Sequence, residues 1–346
     1  MQRTRTCIHT RTRTLWRPLS TAIAAAAAVT IALALSGCDG ASSSAADAPS
    51  ASTAASSAPD AAPITVQHQL GSTVIPRPPQ RVAALEMNEA DFLDQLGVPI
   101  AGMVKDYVPH FLAKYKADEA VQDLGAIVQP NLERVHALKP DLILITPLQA
   151  NHYQALSEIA PTIHLDVDFK DSHARHIAVV KDHLLTLGRI FDKEALAAEK
   201  VAALDAKLAQ ARQRIEGSTD KALIVLHNNG AFSSFGPQSR YGFVFSDLGV
   251  KPASTDAEGS LHGQPISSEF IQQANPDILY VVDRTAVMER HAVMTADQLA
   301  NPLLRETKAW KSGRVVFVDA DAWYTTGASP TSLSLLIDDV LRGYPG

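Results

Sequence analysis

The sequence predicts an α/β protein made of two α/β lobes joined by one long helix, and three observations carry that prediction. From Ile64 onward, short apolar strands alternate with helical segments, the order that produces parallel sheets covered by helices. One block occurs twice. Asn131-Leu132-Glu133, six residues, then Pro140-Asp141-Leu142-Ile143-Leu144-Ile145 corresponds to Ser268-Glu269, six residues, then Pro276-Asp277-Ile278-Leu279-Tyr280-Val281. A Leu-Gly-Val stands upstream of each copy, at 96–98 and at 248–250, so the order of elements is duplicated. Between the copies, Lys193 to Ile215 lacks proline and glycine and places Leu196, Val201, Leu204 and Leu208 at helical intervals among charges.

Before the lobes comes a different kind of chain. Residues 1–37 hold five arginines and no acid, then the apolar run Ala22 to Leu35, then Leu35-Ser36-Gly37-Cys38. This is a charged start, a hydrophobic segment and a small-residue cleavage site, and the run falls short of the ~20 residues of a permanent span. Residues 39–63 contain ten Ala, seven Ser and three Pro and no large apolar side chain, so nothing offsets the entropy of ordering them. They read as a tether. The expected division is 1–37 signal peptide, 38–63 Cys38 and tether, 64–192 first lobe, 193–217 connecting helix and 218–346 second lobe, each lobe Rossmann-like.

Within the first lobe, Ile64 to Val74 reads as a hairpin turning at Gly71-Ser72. Arg81 to Leu85, Leu142 to Ile145 and Thr162 to Leu165 read as strands, and 89–96, 132–138 and 151–159 as helices. A helix of about 23 residues from Lys193 would run ~34 Å, enough to cross from lobe to lobe. In the second lobe, Ile278 to Asp283 and Arg314 to Val318 are the clearest strands.

Composition excludes several function classes. Of 31 basic and 37 acidic residues, five arginines fall in the first 37 positions, leaving a body with a net charge of −11, His neutral. That argues against nucleic acid as a partner, which requires a concentrated basic surface. The only cysteines are Cys7 and Cys38, so the body has no disulfide, thiolate metal site or cysteine nucleophile. Gly-x-Ser-x-Gly, Walker and dinucleotide glycine motifs are missing, which disfavours a secreted enzyme. His173, His176 and His183 carry no His-Glu-x-x-His pattern and read as a solvated helix face.

Leu-Ser-Gly-Cys resembles the bacterial lipobox, in which the cysteine, here Cys38, is lipidated and becomes the first mature residue. Lipobox, tether, two lobes and one backbone helix together resemble the helical-backbone class of substrate-binding proteins that serve ABC importers of siderophores, haem and cobalamin. The segments 130–145, Phe235-Gly236-Pro237-Gln238-Ser239-Arg240-Tyr241-Gly242, 262–270 and Val281-Val282-Asp283-Arg284 resemble in particular the binders of ferric catecholate siderophores, the enterochelin and anguibactin type. The resemblance implies a lipid-anchored periplasmic protein that captures a ferric siderophore and hands it to an ABC permease and ATPase. It implies no catalysis and no intrinsic cofactor, and a monomer. Asp39 after the lipidated cysteine favours the inner membrane. Haem, cobalamin and zinc or manganese remain the alternative ligands of the same transporter class.

The site residues follow from chemistry and resemblance together. Ferric iron is a hard cation, and a siderophore with too few donors leaves positions that a Tyr phenolate or a His imidazole can fill. His262 and Tyr324 stand in loops on the expected cleft side, and in the resembling subgroup the His of a His-Gly motif and the Tyr of a Trp-Tyr loop complete the iron shell. Arg240 and Arg284 are the expected contacts for an anionic chelate, because planar guanidinium groups bridge its oxygens and stack on its rings. The subgroup often presents a third Arg in the first lobe. Here that loop reads Thr146-Pro147-Leu148-Gln149, so Leu148 brings no charge, with Lys105 or His152 as possible substitutes. The resemblance finally implies that Glu133 and Glu269, at equivalent places in the repeat, dock on the permease.

Overall fold

A computed structural model describes residues 62–76, 78–172, 175–255 and 260–344. The signal segment, Cys38, most of the tether and His173 lie outside the described residues. Both lobes belong to one compact unit, Ser57–Gly346.

A hairpin, β1 (Ile64–His68) and β2 (Gly71–Ile75), opens the first lobe. Its closing pair is His68 with Gly71, so the turn is Gln69-Leu70 and not the Gly71-Ser72 expected from sequence. Gly71, at φ 144°, supplies the positive φ of a tight connection from the first strand position. The lobe's sheet contains β3 (Val82–Ala84), β4 (Ile100–Met103), β5 (Gln122–Asp123), β6 (Leu142–Ile145) and β7 (Thr162–His164) in the order β5-β4-β3-β6-β7. Every pairing is parallel. The order reverses between β3 and β6, and the carboxyl ends of those strands are where an open α/β sheet receives a ligand.

Helix α1 (Met87–Gln95) leaves β3 directly, and α2 (Leu132–Leu138) feeds β6. Helix α3 (His176–Ile190) precedes the connector α4 (Glu194–Ile215), which buries Ala197, Leu204, Leu208, Ala211 and Ile215 on one side. Gly188 lets the two helices close up. A Cβ there would lie 2.5 Å from the Cβ of Ala197.

The second lobe is a mixed sheet of β8 (Lys221–Asn228), β9 (Ala231–Phe235), β10 (Lys251–Pro252), β11 (Gln264–Ile266), β12 (Ile278–Asp283) and β13 (Val315–Phe317). The order is β11-β9-β8-β12-β13, with β10 also parallel to β8. Strands β8, β12 and β13 are parallel, whereas β9 returns antiparallel on β8 through Asn229-Gly230, both at positive φ. The Asn-Gly hairpin is the physical reason this lobe departs from an all-parallel arrangement.

The repeat is visible as backbone geometry. Helix α2 starts on an Asn131 cap and ends on Lys139 at φ 50°, and α5 (Ser268–Ala274) starts on a Ser267 cap and ends on Asn275 at φ 42°. A Pro-Asp then enters the strand in each copy. The N–H of Asp141 donates to the carbonyl of Arg81 at 3.0 Å, and that of Asp277 to the carbonyl of Lys221 at 2.8 Å. Their carboxylates accept the N–H groups of Arg81 and Lys221.

After β13 the chain forms a π-helical turn, Asp321–Thr325, and then α7 (Pro330–Arg342), which packs against α1, α3 and α4. The segment 326–331 therefore crosses back to the first lobe. The N–H of Ala328 donates to Asn88 Oδ1 at 2.9 Å, and Thr331 donates to both carboxylate oxygens of Asp91.

Candidate functional site

The second lobe brings together the four side chains expected from sequence to contact a ligand. Arg284 is the first residue of α6 (Arg284–Glu289), immediately past β12. Its Nη1 donates to Asn228 Oδ1 at 3.0 Å, at the end of β8, so it bridges the two strands where the order reverses. Its Nε donates to Tyr324 Oη at 2.6 Å, and its guanidinium lies 5.3 Å from the ring centroid. A bond from a charged donor fixes the orientation of the phenol oxygen.

Tyr324 projects from the π-helical turn because its neighbour is sunk. Trp323 is completely buried, its Nε1 donates to Asp339 Oδ2 at 2.9 Å, and its carbonyl accepts from Tyr241 Oη at 2.8 Å. A π turn inside a polypeptide this well packed re-aims successive side chains, a device common at binding sites. Arg240 is only 8% exposed. It spans Leu261, Trp323 and Tyr324 by donating to their carbonyl oxygens at 3.1–3.4 Å, and its guanidinium sits 5.7 Å from the Tyr324 ring. His262 stacks beside the same ring, centroids 6.3 Å apart at 25°. Burial first, then the positive fields of Arg284 and Arg240, lower its affinity for a proton, which keeps the imidazole lone pair available.

Arg240, His262 and Tyr324 line a cleft of about 240 Å³ whose opposite wall is Tyr107, Ile127, Val128, Leu148 and Phe169 of the first lobe, whereas Arg284 is not among the lining residues and reaches the cleft only through its hydrogen bond to Tyr324. No charged side chain of that lobe is among its lining residues. Leu148 is one of them, as the sequence suggested, but Lys105 and His152 are not. Lys105 Nζ donates instead to the carbonyl of Asp118. The wall is braced from behind: Asp106 Oδ2 accepts the N–H of Ile127, and Gln149 Nε2 donates to the Ile127 carbonyl at 2.6 Å.

The first lobe also buries two carboxyl groups of its own. Glu86 and Glu89, at the start of α1, are both fully buried. Burial pushes the carboxyl of Glu86 up to about 7, against the pull of Asn88 and Arg240, and Glu89 well above the usual range. Each accepts backbone N–H bonds through Oε2. The cost of ionising them inside the protein favours the protonated forms.

The expectation of a solvated histidine face on α3 is overturned. His176 is buried, stacks on Phe243 with centroids 4.8 Å apart and hydrogen-bonds the Gly327 carbonyl at 2.6 Å. Burial lowers its proton affinity to about 4. His183 packs edge-on against Phe92 and is likewise shifted to about 4. The helix is sandwiched between lobe and crossing segment, which periodicity alone did not disclose.

Arg240, Arg284, His262 and Tyr324 thus come together. Glu133 and Glu269 lie elsewhere, exposed in the first turns of α2 and α5, each one position past the first helical residue. A hydrogen bond from Ser267, followed by backbone hydrogen bonding, lowers the proton affinity of Glu269. Sequence reasoning missed Tyr107 and Glu86. The signal for Glu86 was its place just after β3, at the switch point, and Tyr107 had none because its position depends on a contact from the other lobe.

Residues 82–322 match the sequence family described as periplasmic binding protein. The ferric-anguibactin-binding protein FatB of Vibrio anguillarum is 64% identical over 282 residues, covering 82% of this chain and 88% of that protein. The petrobactin-binding protein YclQ of Bacillus subtilis is 36% identical over 285 residues, covering 81% and 88%. Among solved structures, the siderophore-binding protein BauB, bound to two acinetobactin molecules and ferric iron, is 65% identical. It aligns with a TM-score of 0.79 over 82% of this chain and 99% of its own.

Proposed function

The chain belongs to the periplasmic binding protein family, and from that premise we propose that it captures a ferric siderophore between its lobes and delivers it to an ABC importer. The carrying observation is one guanidinium, one phenol and one imidazole, those of Arg240, Tyr324 and His262, on a single cleft edge, with the Arg284 guanidinium hydrogen-bonded to that phenol. Arg240 and Arg284 attract the anionic oxygens of a ferric chelate, and Tyr324 and His262 occupy iron positions that a chelate of low denticity leaves open. Iron is here cargo and arrives with its chelator. Binding without chemical change is the expected outcome, and no resident cofactor is needed.

The remaining assignments complete the reading. Residues 1–37 are removed, Cys38 carries the lipid, and residues 39–63 tether a monomeric body to the periplasmic face of the inner membrane. Residues 64–192 and 218–346 are the lobes and 193–217 the connector. Glu133 and Glu269, exposed at matching places in the repeat, engage arginines of the permease, an arrangement suited to a two-fold partner.

The decisive experiment is titration of the purified body with ferric anguibactin, ferric acinetobactin, ferric petrobactin, haem, cobalamin and zinc, read by quenching of the intrinsic fluorescence of Trp310 and Trp323. Tight binding of a ferric siderophore with recovery of the chelate unaltered supports the proposal; binding of haem, cobalamin or zinc alone overturns it. For delivery, Glu133→Arg with Glu269→Arg should leave siderophore affinity unchanged and abolish uptake. Normal uptake by the folded double variant would remove the docking role.

A further inference from the structure

Beside the ligand cleft the lobes are joined by a polar clasp that none of the site assignments uses. Arg290, the residue that ends α6, takes φ 56°, a left-handed conformation that a residue with a Cβ adopts at some energetic cost. From there it reaches across to the first lobe. Its Nη2 donates to the carbonyl of Asp106 at 3.3 Å, its Nη1 to the carbonyl of Val108 at 3.4 Å, and its guanidinium lies 5.4 Å from the ring centroid of Tyr107. One side chain of the second lobe therefore holds a residue of the first by both flanking carbonyls and by its ring.

The clasp has a second half. Asp321, the first residue of the π-helical turn that carries Tyr324, lies 3.7 Å from Arg290 Nη1 and accepts the N–H of His110 at 3.0 Å. His110 Nε2 meets Asp319 Oδ2 at 2.6 Å. Tyr107 itself lines the cleft opposite His262 and Tyr324, and its neighbour Asp106 supports Ile127 of the same wall.

We propose that Arg290 is the positioning residue for ligand retention: it fixes Tyr107 as an aromatic platform over the cleft once the lobes are together, and so sets the rate at which a bound ferric siderophore leaves. The planar guanidinium suits two divergent carbonyls and one ring face at once, which an ammonium cannot match. Because Tyr107 lines the cleft, a ring no longer held packs less firmly on the bound ligand, so its loss acts on escape, whereas the initial encounter is set by the charge of Arg240 and Arg284. This rests on the proposed siderophore function for its ligand, but the clasp itself is testable without one.

The test compares the parent with Arg290→Gln, Tyr107→Ala and the double variant by stopped-flow fluorescence with ferric anguibactin and ferric acinetobactin. Arg290→Gln should speed dissociation by ~10-fold, the scale of one lost charged hydrogen-bond set, with the association rate unchanged in a variant shown to be folded. Tyr107→Ala should do the same, and the double variant should be no worse than either single one. An unchanged dissociation rate in folded Arg290→Gln, or full additivity of the two substitutions, overturns the proposal. If the parent binds neither probe, the functional reading fails instead. Hydrogen exchange at the Val108 and His110 amides of the ligand-free protein then decides the clasp: faster exchange in Arg290→Gln upholds it, and identical exchange refutes it.

Discussion

The two lobes share a frame and differ in what they show the cleft. In both, a seven-residue helix ends in a left-handed residue, a Pro-Asp anchors to the start of a central parallel strand, β3 in one lobe and β8 in the other, and a buried strand follows. At the switch point of the second lobe the strand delivers Arg284; at that of the first, the loop after β6 delivers Leu148. The second lobe thus presents charge, while the first presents an apolar wall and keeps two glutamates buried in its interior. The pairing teaches that a duplicated backbone fixes where a ligand sits without fixing which lobe recognises what. A ligand suited to this cleft is anionic on one side and apolar on the other.

Breaking the charged side should have the largest effect. Arg240→Ala removes a buried guanidinium from three carbonyls and the cleft, and should weaken ferric siderophore binding by about 2–4 kcal/mol, measured by titration calorimetry on a variant shown to be folded. A loss no larger than that of an exposed arginine would mean that recognition does not depend on this edge.

The buried carboxyl of the first lobe is changed next, by Glu86→Gln. A carboxyl whose folded pKa is raised stays protonated while the unfolded chain ionises, so stability falls as pH climbs from about 4.5 through about 7. The amide cannot ionise in either state. Chemical denaturation should show the variant more stable than the parent by ~1–3 kcal/mol at pH 8, with the gain vanishing below pH 4.5.

Tyr324→Phe tests the phenol alone, because the ring and its stacking remain. It should abolish a visible phenolate-to-iron charge-transfer band and weaken binding about tenfold. A band that survives would assign it to the chelator. The smallest change sharpens the comparison by making the lobes more alike. Leu148→Arg places a guanidinium on the apolar wall and should shift preference several-fold, ~3- to 10-fold, toward more anionic ferric chelates in competition binding.

Several of these residues were legible before any coordinates. Arg284 ends an unbroken apolar strand, and Tyr324 follows a Trp after the last strand, so position in the chain already put both at a strand's carboxyl edge. The repeat was legible because the helix cap, Pro-Asp and strand are local signals that recur at fixed spacing. Fold class, the connecting helix and the absence of thiol chemistry in the body were settled the same way, by short-range pattern and composition. His176 and His183 were not legible, since a helix covered on two sides by distant segments carries no different local pattern from a solvated one.

The amino-acid sequence by itself determined the alternation of strands and helices, the duplication, the tether composition and which side chains of suitable chemistry the loops carry. Only the tertiary structure decided that Arg240 lies against Tyr324, that Glu86 and Glu89 are sealed from water, and that Arg290 grips Tyr107 across the cleft. The physical reason is range. Propensity, capping and turn chemistry act over a few residues, whereas Arg290 and Asp106 are 184 positions apart and their contact exists only once both lobes have folded and the chain after Tyr324 has crossed back to the first.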